Sequence, residues 1–270
     1  SKSTVHWTRG FKSLSRRQSC TLRNEKFIEV MSGSRIMEIE SEYGPAFTLM
    51  TANLSPSEQI KVEPGAMVAQ SEGLEMKTGM GSGGGLGGFM KSMVRSAFGG
   101  ESFFVNTYTA GPSGGWISMA PSAPGDIETI ELPPGQSFFM QGGAFMASTV
   151  NVETSTKFQG AKSLFSREGV FFLRAEAADV PGKVFFTSYG AMKRIEVTPD
   201  NPIKIDNGHV VAFTEGLNYQ ISKVKGLGSF LFGGEGFTLD FHGSGSVWIQ
   251  TRNIESLANQ LIPFMPNRSQ

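Results

Sequence analysis

The chain has 270 residues, among them 34 glycines and 22 phenylalanines, and 18% of its residues are charged. Its many short apolar runs, cut by glycine and proline, favour a β-protein over a helical bundle. The net charge is zero, but residues 1–26 carry seven basic side chains and one acid, which is +6 and leaves −6 for the remainder. An acidic body disfavours binding to nucleic-acid backbones, so we expect no nucleic-acid partner.

Residues 1–26 form a basic segment that we expect to be a disordered leader or tail. Cys20 is the only cysteine, which excludes a disulfide within one chain and fits a reducing compartment. The segment lacks the apolar core of a secretory signal, whereas its Arg- and Ser-rich composition is also that of a mitochondrial transit peptide. A cytoplasmic location is expected for a bacterial protein and a mitochondrial one for a eukaryotic protein.

Two early strands are predicted at 35–40 and 46–52. A five-residue motif then occurs three times, each copy 67 residues after the last, and each copy leads into an apolar run rich in β-formers. The three copies are Phe98-Gly99-Gly100-Glu101-Ser102, Phe165-Ser166-Arg167-Glu168-Gly169 and Phe232-Gly233-Gly234-Glu235-Gly236. The sequence therefore predicts one supersecondary unit written three times.

The predicted units span 27–131, 132–198 and 199–263, and residues 264–270 form a tail. Each unit is expected to hold four to six short antiparallel strands. It should close with a strand at 115–119, 183–187 or 246–250, which follows a hairpin turn at 111–114, 180–182 or 243–245. The turn at 62–65 resembles those at 132–135 and 205–208 in composition, and the three are expected to be equivalent. The fold class is all-β, as three tandem β-sandwich or double-stranded β-helix-like repeats in a pseudo-threefold arrangement.

A short helix is predicted near the end of the third unit. Asn253 is a favourable N-cap, the helix runs over 254–261, and Pro263 ends it.

A glycine-rich insertion at 79–97 distinguishes the first unit. It runs into a segment with helical periodicity and a basic opposite face, which suits an anionic membrane surface or a protein partner. The segments 162–165 and 228–232 occupy the same place in the other units, and they favour an alternative in which 89–98 caps the β-body. The candidate interaction surface consists of Phe89, Met90, Lys91, Met93, Val94 and Arg95.

Glu101, Glu168 and Glu235 are equivalent acids of the three motifs. Three carboxylates on one axis would bind a cation, but a structural role in each glycine-rich turn is the stronger interpretation. Three scattered histidines lack zinc-ligand spacing, and the G-x-G-x-x-G at 79–84 lacks a βαβ unit. We therefore expect no catalytic residue, no metal site and no cofactor.

The chain resembles the altered-inheritance-of-mitochondria family of uncharacterised proteins. The resemblance covers about 27–263 and is carried by the runs 99–104, 120–127, 233–237 and 247–252. It implies three copies of a unit similar to the subunit of the tryptophan RNA-binding attenuation protein (TRAP-like). The fungal namesake is a mitochondrial inner-membrane protein tied to cristae organisation, and the family supplies no catalytic residues to carry over.

The leading functional hypothesis is a non-enzymatic scaffold or interaction protein that forms homo-oligomers and contacts a protein partner or a membrane surface. The first alternative is a small-molecule or lipid-binding module with a cavity inside one β-unit. The second alternative is an enzyme or an RNA binder, which the missing motifs disfavour.

Overall fold

The computed structural model describes residues 37–80, 104–155, 172–223 and 237–265. These residues form nineteen β-strands and one α-helix, which confirms the predicted all-β class. A leading strand, β1 (Glu38–Glu42), precedes three consecutive sets of six strands, and the helix follows the last set. The two early strands begin about three residues later than predicted.

The three sets of strands follow one another along the chain. The first unit contains β2 (Leu49–Leu54), β3 (Gln59–Val62), β4 (Met67–Gln70), β5 (Glu75–Met80), β6 (Phe104–Thr109) and β7 (Gly115–Met119). The second contains β8 (Ile127–Leu132), β9 (Ser137–Gln141), β10 (Phe145–Thr149), β11 (Val152–Ser155), β12 (Phe172–Ala177) and β13 (Gly182–Thr187). The third contains β14 (Met192–Val197), β15 (Ile203–Asp206), β16 (Val210–Thr214), β17 (Leu217–Lys223), β18 (Phe237–Gly243) and β19 (Gly245–Gln250), and α1 (Ile254–Leu261) follows it.

Strand pairing follows one rule in every unit. The first, sixth and third strands lie side by side in that order, and so do the fourth, fifth and second strands. The second strand of one unit then pairs with the third strand of the next, which joins β3 to β10 and β9 to β16. The result is four sheets: β1-β2-β7-β4, β5-β6-β3-β10-β13-β8, β11-β12-β9-β16-β19-β14 and β15-β18-β17.

The four sheets stack as successive layers, and a hydrophobic cluster fills each of the three interfaces between them. The first cluster joins the first and second sheets through residues such as Ile117 and Phe185. The second cluster includes Phe186 and Trp248, and the third includes Phe213 and Phe241. Outer strands such as β2 alternate buried and half-buried residues, whereas β10 and β16 are buried on both faces because layers cover both sides.

The turns at 111–114, 180–182 and 243–245 were predicted to close hairpins, and this prediction is wrong. Each turn joins a fifth strand to a sixth strand that lies in a different sheet. The physical reason is that glycine and proline specify a reversal of the chain but not which strands pair. The sixth strand lies instead in the opposite layer, where it covers the hydrophobic cluster between the two layers of its unit.

The proposed equivalence of the three proline- and glycine-containing turns is also corrected. Residues 62–65 and 205–208 join second to third strands, whereas 132–135 joins a first strand, β8, to a second strand, β9. Strand pairing groups β8 and β14 with the strands that follow them. The predicted starts of the second and third units, at 132 and 199, therefore come too late, because each falls at the end of the unit's first strand or just after it.

The predicted C-terminal helix is confirmed. The Asn253 side chain accepts hydrogen bonds from the backbone N–H groups of Glu255 and Ser256, at 2.9 and 3.2 Å, and α1 ends at Leu261.

Candidate interaction surfaces

The interaction surface predicted at residues 89–95 lies outside the described residues, in the connection between β5 and β6. Glu101, Glu168 and Glu235 also lie outside them, in the three connections between fourth and fifth strands. The structure therefore does not place these residues. Other surfaces emerge from the described strands, at the two ends of the sheet stack.

The two junctions between units show how a paired strand of each kind is buried and hydrogen-bonded, and the strands at the two ends are compared with them below. At the first junction, Val62 lies opposite Ala147, and Glu63 donates its backbone N–H to the Met146 carbonyl at 2.8 Å. The Lys61 ammonium also donates to the Val152 carbonyl at 2.7 Å. Backbone pairing and a partly buried side-chain contact thus hold the first two units together.

The second junction repeats this register. Met140 lies opposite Ala212, and Phe139 lies opposite Phe213 with ring centroids 5.1 Å apart in a stacked arrangement. At the end of the pairing, the Ser137 backbone N–H donates to the Glu215 carboxylate at 3.1 Å. Both junctions therefore use the same strands in the same alignment, although their side chains differ.

At the first end of the stack, β4 forms an edge of the first sheet. It has one neighbouring strand, β7, among the described residues, and its other side is free. Met67 is 40% exposed, whereas Phe145 and Val210, at the same place in β10 and β16, are both 0% exposed. Val68 is 58% exposed, and its counterparts Met146 and Val211 are each 1% exposed. Val68 is the extra residue of a bulge that recurs before the alanine in all three strands, so these comparisons hold residue by residue.

The outer face of the first sheet is more polar than its counterparts. Ser118 occupies the position of Phe185 and Trp248 in the sixth strands, and its hydroxyl lies 2.8 Å from that of Thr51. Phe185 and Trp248 are buried against the preceding unit, whereas no unit precedes the first among the described residues. The second and third units thus carry aromatic rings at this position, covered by the preceding unit, whereas the first unit carries a serine that is 7% exposed.

The second end is the free side of β15, which pairs with β18 alone among the described strands. Ile205 points into the third cluster, and Ile203 is only partly buried against it. Between them, Lys204 is exposed and forms an ion pair with Asp240 at 3.3 Å. Lysine at an edge strand, with Pro202 just before it, hinders indiscriminate pairing with other strands.

Helix α1 is a third exposed feature. Ile254, Leu257, Ala258, Leu261 and Ile262 recur at the spacing of one helix face, yet no residue of the helix is buried. Phe264, just beyond it, is 86% exposed. In the chain, the helix follows the sixth strand of the third unit, at the place where the first two units are followed by the first strand of the next unit.

Titratable groups with shifted pKa values lie beside strand junctions rather than in one shared site. Burial raises the pKa of Glu63 from 4.5 to about 7, and burial lowers the pKa of Lys61, which Glu153 partly offsets. Burial also raises the pKa of Asp126, against hydrogen bonds from Ile127 and Thr48. The described part of the chain contains no group of three His, Cys, Asp or Glu residues that could hold a metal ion. None of its helices has the length and hydropathy needed to cross a membrane.

Comparison of the three sequence copies reveals one difference that marks the first unit as the one with an exposed edge. The position of Phe185 and Trp248 holds Ser118 in the first unit. The loss of an aromatic ring in that copy alone is the signal, since the position of Phe213 is polar in two copies, as Gln70 and as Ser148.

Comparisons with known proteins agree with this architecture. Residues 39–252 match the protein family described as Mitochondrial biogenesis AIM24. An uncharacterised protein of Streptococcus pyogenes serotype M6 is 31% identical over 225 residues, which cover 83% of this chain and 89% of the relative. A crystal structure of a Streptococcus pyogenes protein superposes with a TM-score of 0.68 at 26% identity, and the match covers 85% of this chain and 100% of that protein.

Proposed function

The chain belongs to the mitochondrial biogenesis AIM24 family, and from that premise we propose that it is a non-enzymatic scaffold that binds other proteins and copies of itself. The observation that carries the proposal is the amphipathic helix α1, whose apolar face has no buried residue. An apolar stripe of this kind is stabilised when it docks into a groove of a partner.

The charge of α1 favours a protein partner over a membrane. Glu255 is its only charged residue, and its other polar positions are Ser256, Asn259 and Gln260. Helices that lie on anionic membranes carry lysine and arginine on the polar face, which α1 lacks. We therefore assign the apolar face of α1 to an apolar groove on another protein.

The described interior supports a structural rather than a catalytic role. Rings fill the third cluster, where Phe213 lies within 5.3 Å of both Phe172 and Phe241, measured between ring centroids. The shifted groups Glu63 and Lys61 are adjacent to the strand pairing that joins two units. We propose the bacterial cytoplasm as the location, which fits the bacterial relatives and the single cysteine.

Site-specific photocross-linking in cells that naturally make the protein tests the scaffold role. A photoreactive benzoylphenylalanine replaces Leu261 on the apolar face of α1 or, as the matched control, Asn259 on the opposite face. We expect a discrete protein adduct at position 261 and none at 259. Lipid adducts alone at position 261, or equal labelling at both positions, would contradict the proposed function.

A further inference from the structure

We propose that the free edge of β4 in one copy pairs with the free edge of β15 in a second copy, so that the chains associate head to tail. The proposal rests on the proposed scaffold role and names the surface through which the scaffold binds itself. Its basis is the strand content of the first and fourth sheets, which lie at the two ends of the stack.

The first and fourth sheets are complementary halves of the sheets between them. Each six-stranded sheet combines the fourth, fifth and second strands of one unit with the third, sixth and first strands of the next. The fourth sheet, β15-β18-β17, contains only the former half, and the first sheet contains only the latter half together with β1. A second copy supplies the missing half at each end by the pairing that the chain already uses twice.

The register of the new pairing follows from the two internal junctions. Transfer of the β9–β16 alignment places Ile205 opposite Ala69, Lys204 opposite Gln70 and Ile203 opposite Ser71. The exposed lysine thus faces an amide instead of an apolar side chain. This polar pair selects one register, because a slip by one residue would oppose Lys204 to Ala69 or Ser71.

The apolar residues at both ends are also accounted for. Met146 and Val211, the counterparts of Val68, belong to the clusters of the preceding unit. Val68 of a second copy would in the same way enter the third cluster, where Ile195, Ile203 and Ile249 are only partly buried. Burial of these side chains supplies the hydrophobic part of the association.

The association is expected to be weaker than the internal junctions. The Ser137 N–H that donates to Glu215 has no equivalent, because Pro202 occupies its place and has no N–H to offer Glu72. Ser118 also replaces the aromatic rings of the later units. We therefore expect reversible, concentration-dependent assemblies. Because the two edges differ, each copy can bind one neighbour at either end, which gives rings or linear arrays rather than symmetric dimers.

Cysteine cross-linking tests the pairing and its direction. In a Cys20→Ser background, Gln70→Cys and Lys204→Cys chains are mixed and oxidised, because directly opposed strand residues lie within disulfide range. We expect a two-chain product linking positions 70 and 204 in the mixture only. A control mixture of Gln70→Cys with Val180→Cys, at an exposed turn, should give none. Links between two Gln70→Cys chains alone, or no product in the mixture, overturn the proposal.

Native mass spectrometry gives an independent readout. Val68→Asp places a charge on a side chain that is exposed in the single chain, so we expect the fold to persist and association to weaken at least tenfold. Val180→Asp should associate like the wild type. Equal association of all three proteins, or a wild type that stays monomeric at every concentration, overturns the proposal. In that event an adduct at Leu261 would still support the scaffold role, so the two failures are distinguishable.

Discussion

The third strands of the units occur in two environments, although they share one backbone pattern. In β10 and β16 a neighbouring unit supplies a paired strand and a covering layer, and the strands are buried on both faces. In β4 neither is supplied within the described chain, and all four residues are exposed. The position of a third strand in the stack, rather than its local sequence, therefore determines whether its side chains are buried or exposed.

The strongest test of this comparison is at Phe213 and its terminal counterpart Gln70. Phe213 is fully buried and contacts four other rings, so Phe213→Ala should lower the free energy of unfolding by about 3–5 kcal/mol. Gln70→Ala, at the exposed end, should change it by less than about 0.5 kcal/mol. Urea denaturation measures both. Similar losses would show that β4 is buried in solution.

Trp248 and its counterpart Ser118 give the next largest contrast. The Trp248 indole N–H donates to the Glu128 carboxylate at 2.7 Å, and Arg194 lies 5.3 Å from the ring centre. Trp248→Phe removes a charge-assisted hydrogen bond between two layers, and we expect a loss of about 2 kcal/mol. Ser118→Ala should cost about 1 kcal/mol or less, because it removes only the hydroxyl contact with Thr51. Equal losses in urea denaturation would contradict the account.

Glu63 makes the first junction sensitive to pH. Because burial raises its pKa from 4.5 to about 7, the folded chain retains a proton that the unfolded chain releases. The folded state therefore binds more protons between these values, and stability falls as pH rises from 4.5 through 7. Its partial exposure limits the effect to about 1–2 kcal/mol.

The matched variant isolates this effect. Glu63→Gln cannot titrate, so its urea midpoint should vary less than that of the wild type between pH 5 and pH 8. The wild type should be the less stable of the two above pH 7. A wild-type midpoint that rises over this interval relative to Glu63→Gln would refute the assigned sign.

Helix α1 should show the smallest effect on global stability. Asn253→Ala removes the side-chain oxygen that caps two backbone N–H groups, at a cost of about 1 kcal/mol to the helix. Because no residue of α1 is buried, the urea midpoint of the sheets should shift by less than about 0.5 kcal/mol in equivalent free energy. Nuclear magnetic resonance of residues 254–261 should detect the local loss. A large global shift would show that the helix packs on the body.

Local signals predicted the elements that depend on local chemistry. Asn253 and Pro263 bounded α1 closely, and tight glycine turns placed β7, β13 and β19 within about one residue of their observed limits. Pairing between sheets was not predictable in this way, because a turn reverses the chain without choosing a neighbour. The assumed hairpins failed for that reason.

The candidate surfaces were predictable only by comparing copies. Met67-Val68-Ala69 and Val210-Val211-Ala212 are similar in sequence, yet the first is exposed and the second is buried. Hydrophobicity alone could not distinguish them, because burial depends on a neighbour supplied by another part of the chain. The surface predicted at residues 89–95 stays a prediction, since the described residues do not include it.

Hydrogen exchange as a function of protein concentration tests the central claim most directly. The backbone amides of β4 and β15 should become protected together as concentration rises, whereas those of β10 and β16 should be protected throughout. Protection of only one edge, or exchange at both edges that does not change with concentration, would contradict completion of the end sheets by a second copy.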